Sequence, residues 1–132
     1  MPFAELSPAE VGTSAGGFRI VGTAQGLIRL TLWGYWSQDV VRAFSSDGPS
    51  ALQRLMPSGT VIVDANELKP QGADGQEAMR VLFRALAGLV FTKATVISVN
   101  ALTRMQLARL LRECGVDGRV DLSDNSAATP GA

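Results

Sequence analysis

The chain has no histidine and one cysteine, Cys114. A disulfide within the chain is therefore excluded, and a zinc centre or histidine-based acid–base catalysis is argued against. An excess of charge of either sign is missing too. Twelve basic and twelve acidic residues cancel, so no net field recruits nucleic acid or an anionic membrane. No apolar run approaches the roughly 18–20 residues of a membrane span. Residues 1–11 carry Glu5 and Glu10 and lack the apolar run of a secretory leader. These absences predict a cytoplasmic location, with no membrane span and no nucleic-acid partner. What is present is 132 residues that are 46% hydrophobic and 18% charged, enough for one globular domain with its own core.

Residues 59–91 organise the pattern. Thr60 to Val63 is a β-branched, apolar run behind a Ser-Gly turn, and it reads as a strand buried on both faces. Asp64 is expected to end it, with a loop over Asn66 to Gly72 marked by Pro70 and Gly72. Ala78, Met79, Leu82, Leu86 and Leu89 then recur at helical spacing within an expected helix from Ala73 to Phe91. Strand, loop and apolar helix form half of a parallel βαβ unit, whose loop at the strand's carboxyl end is the usual place for recognition.

Around this unit the expected order is β-β-α-β-α-β-α-β, without internal repeats. Residues 1–16 mix prolines and glycines without periodicity and read as a loosely held arm. A short strand at Phe18, Ile20 and Val21 and a longer one from Leu27 to Trp36 flank a turn at Ala24-Gln25-Gly26, predicting an antiparallel pair. Ser37 is a good helix N-cap, followed by Asp39 in the first turn. Val40, Val41, Phe44, Leu52, Leu55 and Met56 supply the apolar stripe, which Asp47-Gly48-Pro49 is expected to kink or split. Thr95 to Val99 reads as a strand and Asn100 as a cap. Leu107, Leu110, Leu111 and Cys114 make one buried stripe, Gly115 is a left-handed stop, and residues 116–122 allow a last short strand. The domain is placed at 17–122 and a flexible tail at 123–132.

Three stretches carry a family resemblance. They are Leu30-Thr31-Leu32-Trp33-Gly34, the run from Val61 to Leu68, and the run from Ala108 to Val116. In this order of elements they resemble the STAS domain, the fold of bacterial anti-sigma-factor antagonists. The resemblance implies a single-domain α/β protein, a mixed β-sheet flanked by helices. It also implies a non-enzymatic protein–protein interaction module in bacterial signalling, with no catalytic residues, metal or cofactor, whose partner is an anti-sigma factor or kinase-like regulator. In that family an aspartate, a phosphorylatable serine, a second hydroxyl residue and a glycine open the long helix. Their positions fall on Gly72, Ala73, Asp74 and Gly75, and only the glycine is retained. Ala73 has no hydroxyl, so a serine switch there is chemically impossible. Asp74 reads either as a stabiliser of the helix start, worth about 0.3–1 kcal/mol, or as a fixed mimic of the phosphorylated state.

The candidate docking residues are thus Lys69, Gly72, Ala73, Asp74 and Gly75, joined by Phe83, which with Ala87, Val90 and Phe91 lies off the main helical stripe. Those off-stripe residues are either covered by the chain or free to contact a partner, a second copy included. Trp33, Tyr35 and Trp36 cluster where strand meets helix, either as sheet cover or as a rim for a ligand or partner. Arg104, Arg109 and Arg112 read as a solvated face or a phosphate-binding patch, and Cys114 as a small core hydrophobe. Asp64 and Glu67 are a carboxylate pair without companions. The span Gly72 to Gly75 lacks the lysine and hydroxyl of a P-loop. Two rivals to the signalling module remain: a carrier of small apolar ligands or lipids, and a self-assembling structural subunit.

Overall fold

The computed structural model describes residues 5–23, 26–55 and 59–124. Six strands form one mixed sheet in the order β1-β2-β3-β4-β5-β6: β1 (Glu5–Thr13), β2 (Gly16–Thr23), β3 (Leu27–Gly34), β4 (Thr60–Leu68), β5 (Lys93–Ile97) and β6 (Val120–Ser123). The first three strands pair antiparallel and the last four parallel. Each parallel step is bridged by a helix: α1 (Gln38–Leu55), α2 (Ala73–Ala87) and α3 (Ala101–Glu113). The chain is therefore a single α/β domain, a mixed sheet flanked by helices.

Strand register shows why the helices share one face. Ile28, Val61, Ala94 and Val120 lie in line across the sheet, as do Ile20, Leu30, Val63 and Val96. These residues are buried in one cluster with Phe44 and Leu52 of α1, Met79, Leu82, Phe83 and Leu86 of α2, and Leu107, Leu110 and Leu111 of α3. A strand exposes alternate residues to alternate faces, so Arg29, Ile62 and Thr95 line the opposite face. There Arg29 donates to the Asp64 carboxylate across 2.8 Å.

Four expectations are corrected. The loosely held arm is instead largely strand β1, hydrogen-bonded along β2. Prolines and glycines hid it, but an edge strand tolerates both, and a register shift between Leu6 and Ala9 accommodates the irregularity around Pro8. Helix α1 runs unbroken through Pro49. A proline inside a helix costs about 3 kcal/mol. Burial of Phe44, Ala51 and Leu52 on either side offsets it. Asp64 does not end β4, because its carboxylate is satisfied by Arg29, and Ala65 and Leu68 continue the buried row. Helix α2 stops at Ala87 rather than Phe91, where Gly88 donates its N–H to the Ala85 carbonyl.

Capping follows expectation. Ser37 Oγ accepts from the Val40 amide, Asn100 Oδ1 accepts from the Thr103 amide at 3.0 Å, and Gly115 has φ 73°. The strand expected at Thr95–Val99 sits two residues earlier. Residues 1–4 of the expected arm, residues 24–25 of the expected turn, Met56 of the α1 stripe and residues 125–132 of the expected tail lie outside the described residues, while Ser123 belongs to β6.

Candidate functional site

The carboxyl ends of β3 and β4 deliver the chain into two helices side by side. Residues 35–37 lead from β3 into α1, and Lys69 to Gly72 lead from β4 into α2. One buried side chain joins these connections. Gln71, 6% exposed, donates Nε2 to the Gly34 carbonyl at 2.9 Å and to the Lys69 carbonyl at 2.8 Å. Its Oε1 accepts from the Trp36 amide at 3.1 Å. Its own backbone is clasped by Gln106 of α3, whose Oε1 accepts from the Gln71 amide at 2.8 Å while Nε2 donates to the Gln71 carbonyl at 3.0 Å. Gln76 Nε2 donates to that same carbonyl at 2.9 Å. Below it, Thr103 Oγ1 donates to the Leu68 carbonyl at 2.9 Å. A loop with its buried amides and carbonyls paired in this way is held in one conformation.

Nothing larger than Gly75 fits beside the latch, while the neighbour at Gly72 is the tip of an exposed side chain. A Cβ on Gly75 would lie 2.6 Å from Gln71 Oε1, and one on Gly72 would lie 2.6 Å from the Tyr35 hydroxyl oxygen. The hydroxyl end of Tyr35 thus reaches the α2 N-cap, while the residue stays 55% exposed. Between the two helix starts opens a cleft of about 360 Å³, lined by Tyr35, Trp36, Ser37, Gln38, Val41, Ala73, Asp74 and Gly75. Asp74 stands in the first turn of α2, where a carboxylate meets the positive end of the helix, and accepts from Gln38 Nε2 at 3.5 Å.

Five of the six candidate docking residues come together here. Lys69, Ala73 and Asp74 are exposed, Gly72 is half-buried and Gly75 buried. Phe83 does not join them: it is fully buried in the core, which corrects its place among the surface candidates. Helix α2 packs against α1 and α3 as well as the sheet, so its buried arc is wider than a single stripe. The other off-stripe residues divide. Ala87 and Val90 are exposed, and the Phe91 ring is half-covered, with the Arg119 guanidinium 4.6 Å from its centre.

The aromatic cluster divides as well. Trp36 is core, its ring tilted against Phe44 at 4.8 Å and Phe18 at 5.9 Å, with its indole N–H donating to the Gly17 and Trp33 carbonyls. Trp33 lies on the opposite sheet face and donates to the Thr13 carbonyl at 2.7 Å. Asp64 and Glu67 are no catalytic pair, since Asp64 is engaged by Arg29 and Glu67 faces solvent. Cys114 is half-buried at the end of α3, and burial pushes its thiol pKa up, away from nucleophilic use. Among the described residues no three of His, Cys, Asp or Glu converge as metal ligands. Among the described residues no helix is long and apolar enough to cross a membrane.

Sequence reasoning missed Gln71, Gln106 and Gln38. Glutamines carry no periodicity, and the only signal was a polar residue held between Pro70 and Gly72. No protein-family model matches the chain, and no curated protein matches it either.

Proposed function

We propose that this chain is a non-enzymatic docking module that binds a protein partner through the two helix starts and the loop from Lys69 to Gly75. In this reading it acts in bacterial signalling in the manner of an anti-sigma-factor antagonist, with an anti-sigma factor or kinase-like regulator as partner. The observation that carries the proposal is the Gln71–Gln106 latch. It holds the exposed residues Ala73 and Asp74 rigidly beside Tyr35 and Gln38. A preorganised surface binds without the entropic cost of ordering a loop. Ala73 has no acceptor oxygen, so the charge here is set permanently by Asp74 and not by phosphate.

The rival readings draw less support. Phe18, Trp36 and Phe44 fill the space beneath the sheet end with their own rings, centroids 4.8–5.9 Å apart, where a carrier would need room for an apolar ligand. The self-assembling subunit rests on a surface of Phe83, Val90 and Phe91; of these Phe83 is buried, Phe91 is half-covered by Arg119, and Val90 alone is exposed.

The test is capture from host lysate with identification by mass spectrometry, repeated with Asp74→Lys. The variant is expected to lose about 1 kcal/mol of stability or less and to lose the captured partner while folded. A folded Asp74→Lys protein that keeps every partner overturns the proposal. If the captured partner is a kinase, incubation with ATP should leave residues 69–76 unmodified, and phosphate found there would overturn the assignment at Ala73.

A further inference from the structure

Helix α3 buries Thr103, Leu107, Leu110 and Leu111, yet its outward side is not the polar face such a helix ordinarily shows. Of the five large hydrophobic side chains exposed among the described residues, three lie together here: Val99 at 57%, Leu102 at 63% and Met105 at 67%. The three-residue spacing of Leu102 and Met105 places both along one side at the start of the helix, and Val99 directly precedes the Asn100 cap. They do not stand on a flat surface. Leu102 and Met105, with Pro70 of the latched loop and Arg109 and Arg112 further along the helix, line an open cleft of about 370 Å³. Its floor is apolar and one end is basic. Along α3, Arg104, Arg109 and Arg112 outnumber Glu113, three positive charges to one negative; Glu113 is shared with Arg80, Arg109 also donates to Gln76, and Asp117 and Asp121 share a second cleft with Arg112.

We infer that this cleft is a second docking surface, separate from the helix-start cleft, and that it takes an amphipathic helix of a partner protein whose apolar side is flanked by acidic residues. Charge decides among the occupants. A second copy of this chain docking face to face would set Arg109 and Arg112 against the same residues of its mate, which opposes closure. Nucleic acid would call for aromatic residues between the basic ones, and none is there. An anionic membrane is attracted by clusters of four or more cations on a convex surface, whereas two arginines line this concave cleft. An acidic amphipathic helix answers both halves: apolar anchors for Leu102, Met105 and Pro70, carboxylates for Arg109 and Arg112. The cleft is preformed, because Gln106 clasps the Gln71 backbone and so fixes Pro70 against α3.

The experiment uses the full chain, isotope-labelled, and two synthetic helical peptides of about 15 residues. They share one Leu stripe and differ only in flanking Glu or flanking Lys. The Glu peptide is expected to shift backbone amides of residues 99–112, and the Lys peptide is not. Met105→Glu should weaken the Glu peptide at least about ten-fold, and Arg112→Glu should weaken it while gaining affinity for the Lys peptide. Both positions are exposed, and unchanged spectra elsewhere will show that the variants are folded. Asp74→Lys should leave peptide binding as it is, which separates this surface from the helix-start site. The inference is overturned if neither peptide shifts residues 99–112 up to about 1 mM, or if both do so equally. It is also overturned if vesicles of phosphatidylcholine and phosphatidylglycerol shift these amides while the Glu peptide does not, or if Met105→Glu converts a dimer in solution to a monomer.

Discussion

At the start of α1 the chain is held by rings; at the start of α2 it is held by amides. Phe18, Trp36 and Phe44 meet at centroid distances of 4.8–5.9 Å, all buried. Beside them in space Gln71 makes three side-chain hydrogen bonds of 2.8–3.1 Å, and Gln106 clasps its backbone. The two devices differ in what they secure. Apolar contact is non-directional and supplies most of the stabilisation. Hydrogen bonds add little net energy, yet they fix a backbone at defined distances and angles. The directional device sits under the surface that carries Ala73 and Asp74, where positioning matters more than adhesion. The rings should therefore hold the fold together, and the latch should hold the site in shape.

Substitutions can break that comparison, beginning with the core at large. Phe83→Asp puts a carboxylate where no partner or water is available, a penalty of several kcal/mol against a total stability of about 5–15 kcal/mol. The variant is expected to be unfolded by circular dichroism at room temperature; a folded, monomeric Phe83→Asp protein would show that this residue is not core. Phe44→Ala should cost about 3–5 kcal/mol in urea denaturation, while the fraction still folded keeps its partner. If that folded fraction loses the partner, the rings shape the site as well, and the division fails.

Much of the ring side was legible. Ile28, Leu30 and Leu32 alternate as a strand does, and Leu107, Leu110 and Leu111 repeat as a helix does; all are buried. Ser37, Asn100 and Gly115 mark helix ends through local chemistry that needs no tertiary context. What escaped reading depends on distant neighbours. Strand β1 exists because β2 offers it a pairing edge. Phe83 is buried because α2 has helices on both sides. Helix α1 survives Pro49 because Phe44 and Leu52 are anchored in the core. The latch was illegible for a deeper reason. Gln71 meets Trp36 across 35 positions and Gly34 across 37, and no spacing rule connects a loop glutamine to carbonyls that far away. The loop from Lys69 to Gly75 could be marked as a site from the strand before it and the helix after it, but not the means of holding it.

Gln71→Leu tests the amide side directly. Leucine fills a similar volume and makes none of the bonds, leaving the Trp36 amide without its acceptor. The Gly34 carbonyl keeps only the Lys69 amide. The expected loss is about 1–3 kcal/mol, less than for Phe44→Ala, but amide exchange across residues 69–76 should quicken and partner capture should fall. A variant that loses stability without faster exchange in the loop would make Gln71 an ordinary core residue and remove the distinction.

The smallest effect belongs to a third tie, which joins α2 to α3 at the surface. Arg80 donates to Glu113 at 2.9 Å and to Glu77 at 3.1 Å. The hydrogen bond from the Arg80 guanidinium holds the Glu113 carboxyl below its ordinary pKa, with Arg109 and Arg84 adding to the pull. The Arg80 guanidinium is raised in turn, mainly by the hydrogen bond it donates to Glu113, and stays charged at any working pH. A carboxyl whose folded pKa is depressed contributes stability above its unfolded value, about 4.3 for glutamate. That contribution is lost as the pH falls through the lower, folded value. Glu113→Gln should accordingly be slightly less stable than the native protein near neutrality, by less than Gln71→Leu, because exposed ion pairs are screened. The gap in urea midpoint should hold down to about pH 5 and then close on acidification, leaving the two proteins equal once the carboxyl is protonated. A gap that widens in acid would mean Glu113 is stabilised by its proton rather than its charge. A gap at neutrality as large as that of Gln71→Leu would place this surface pair beside the latch as a determinant of how α3 is held.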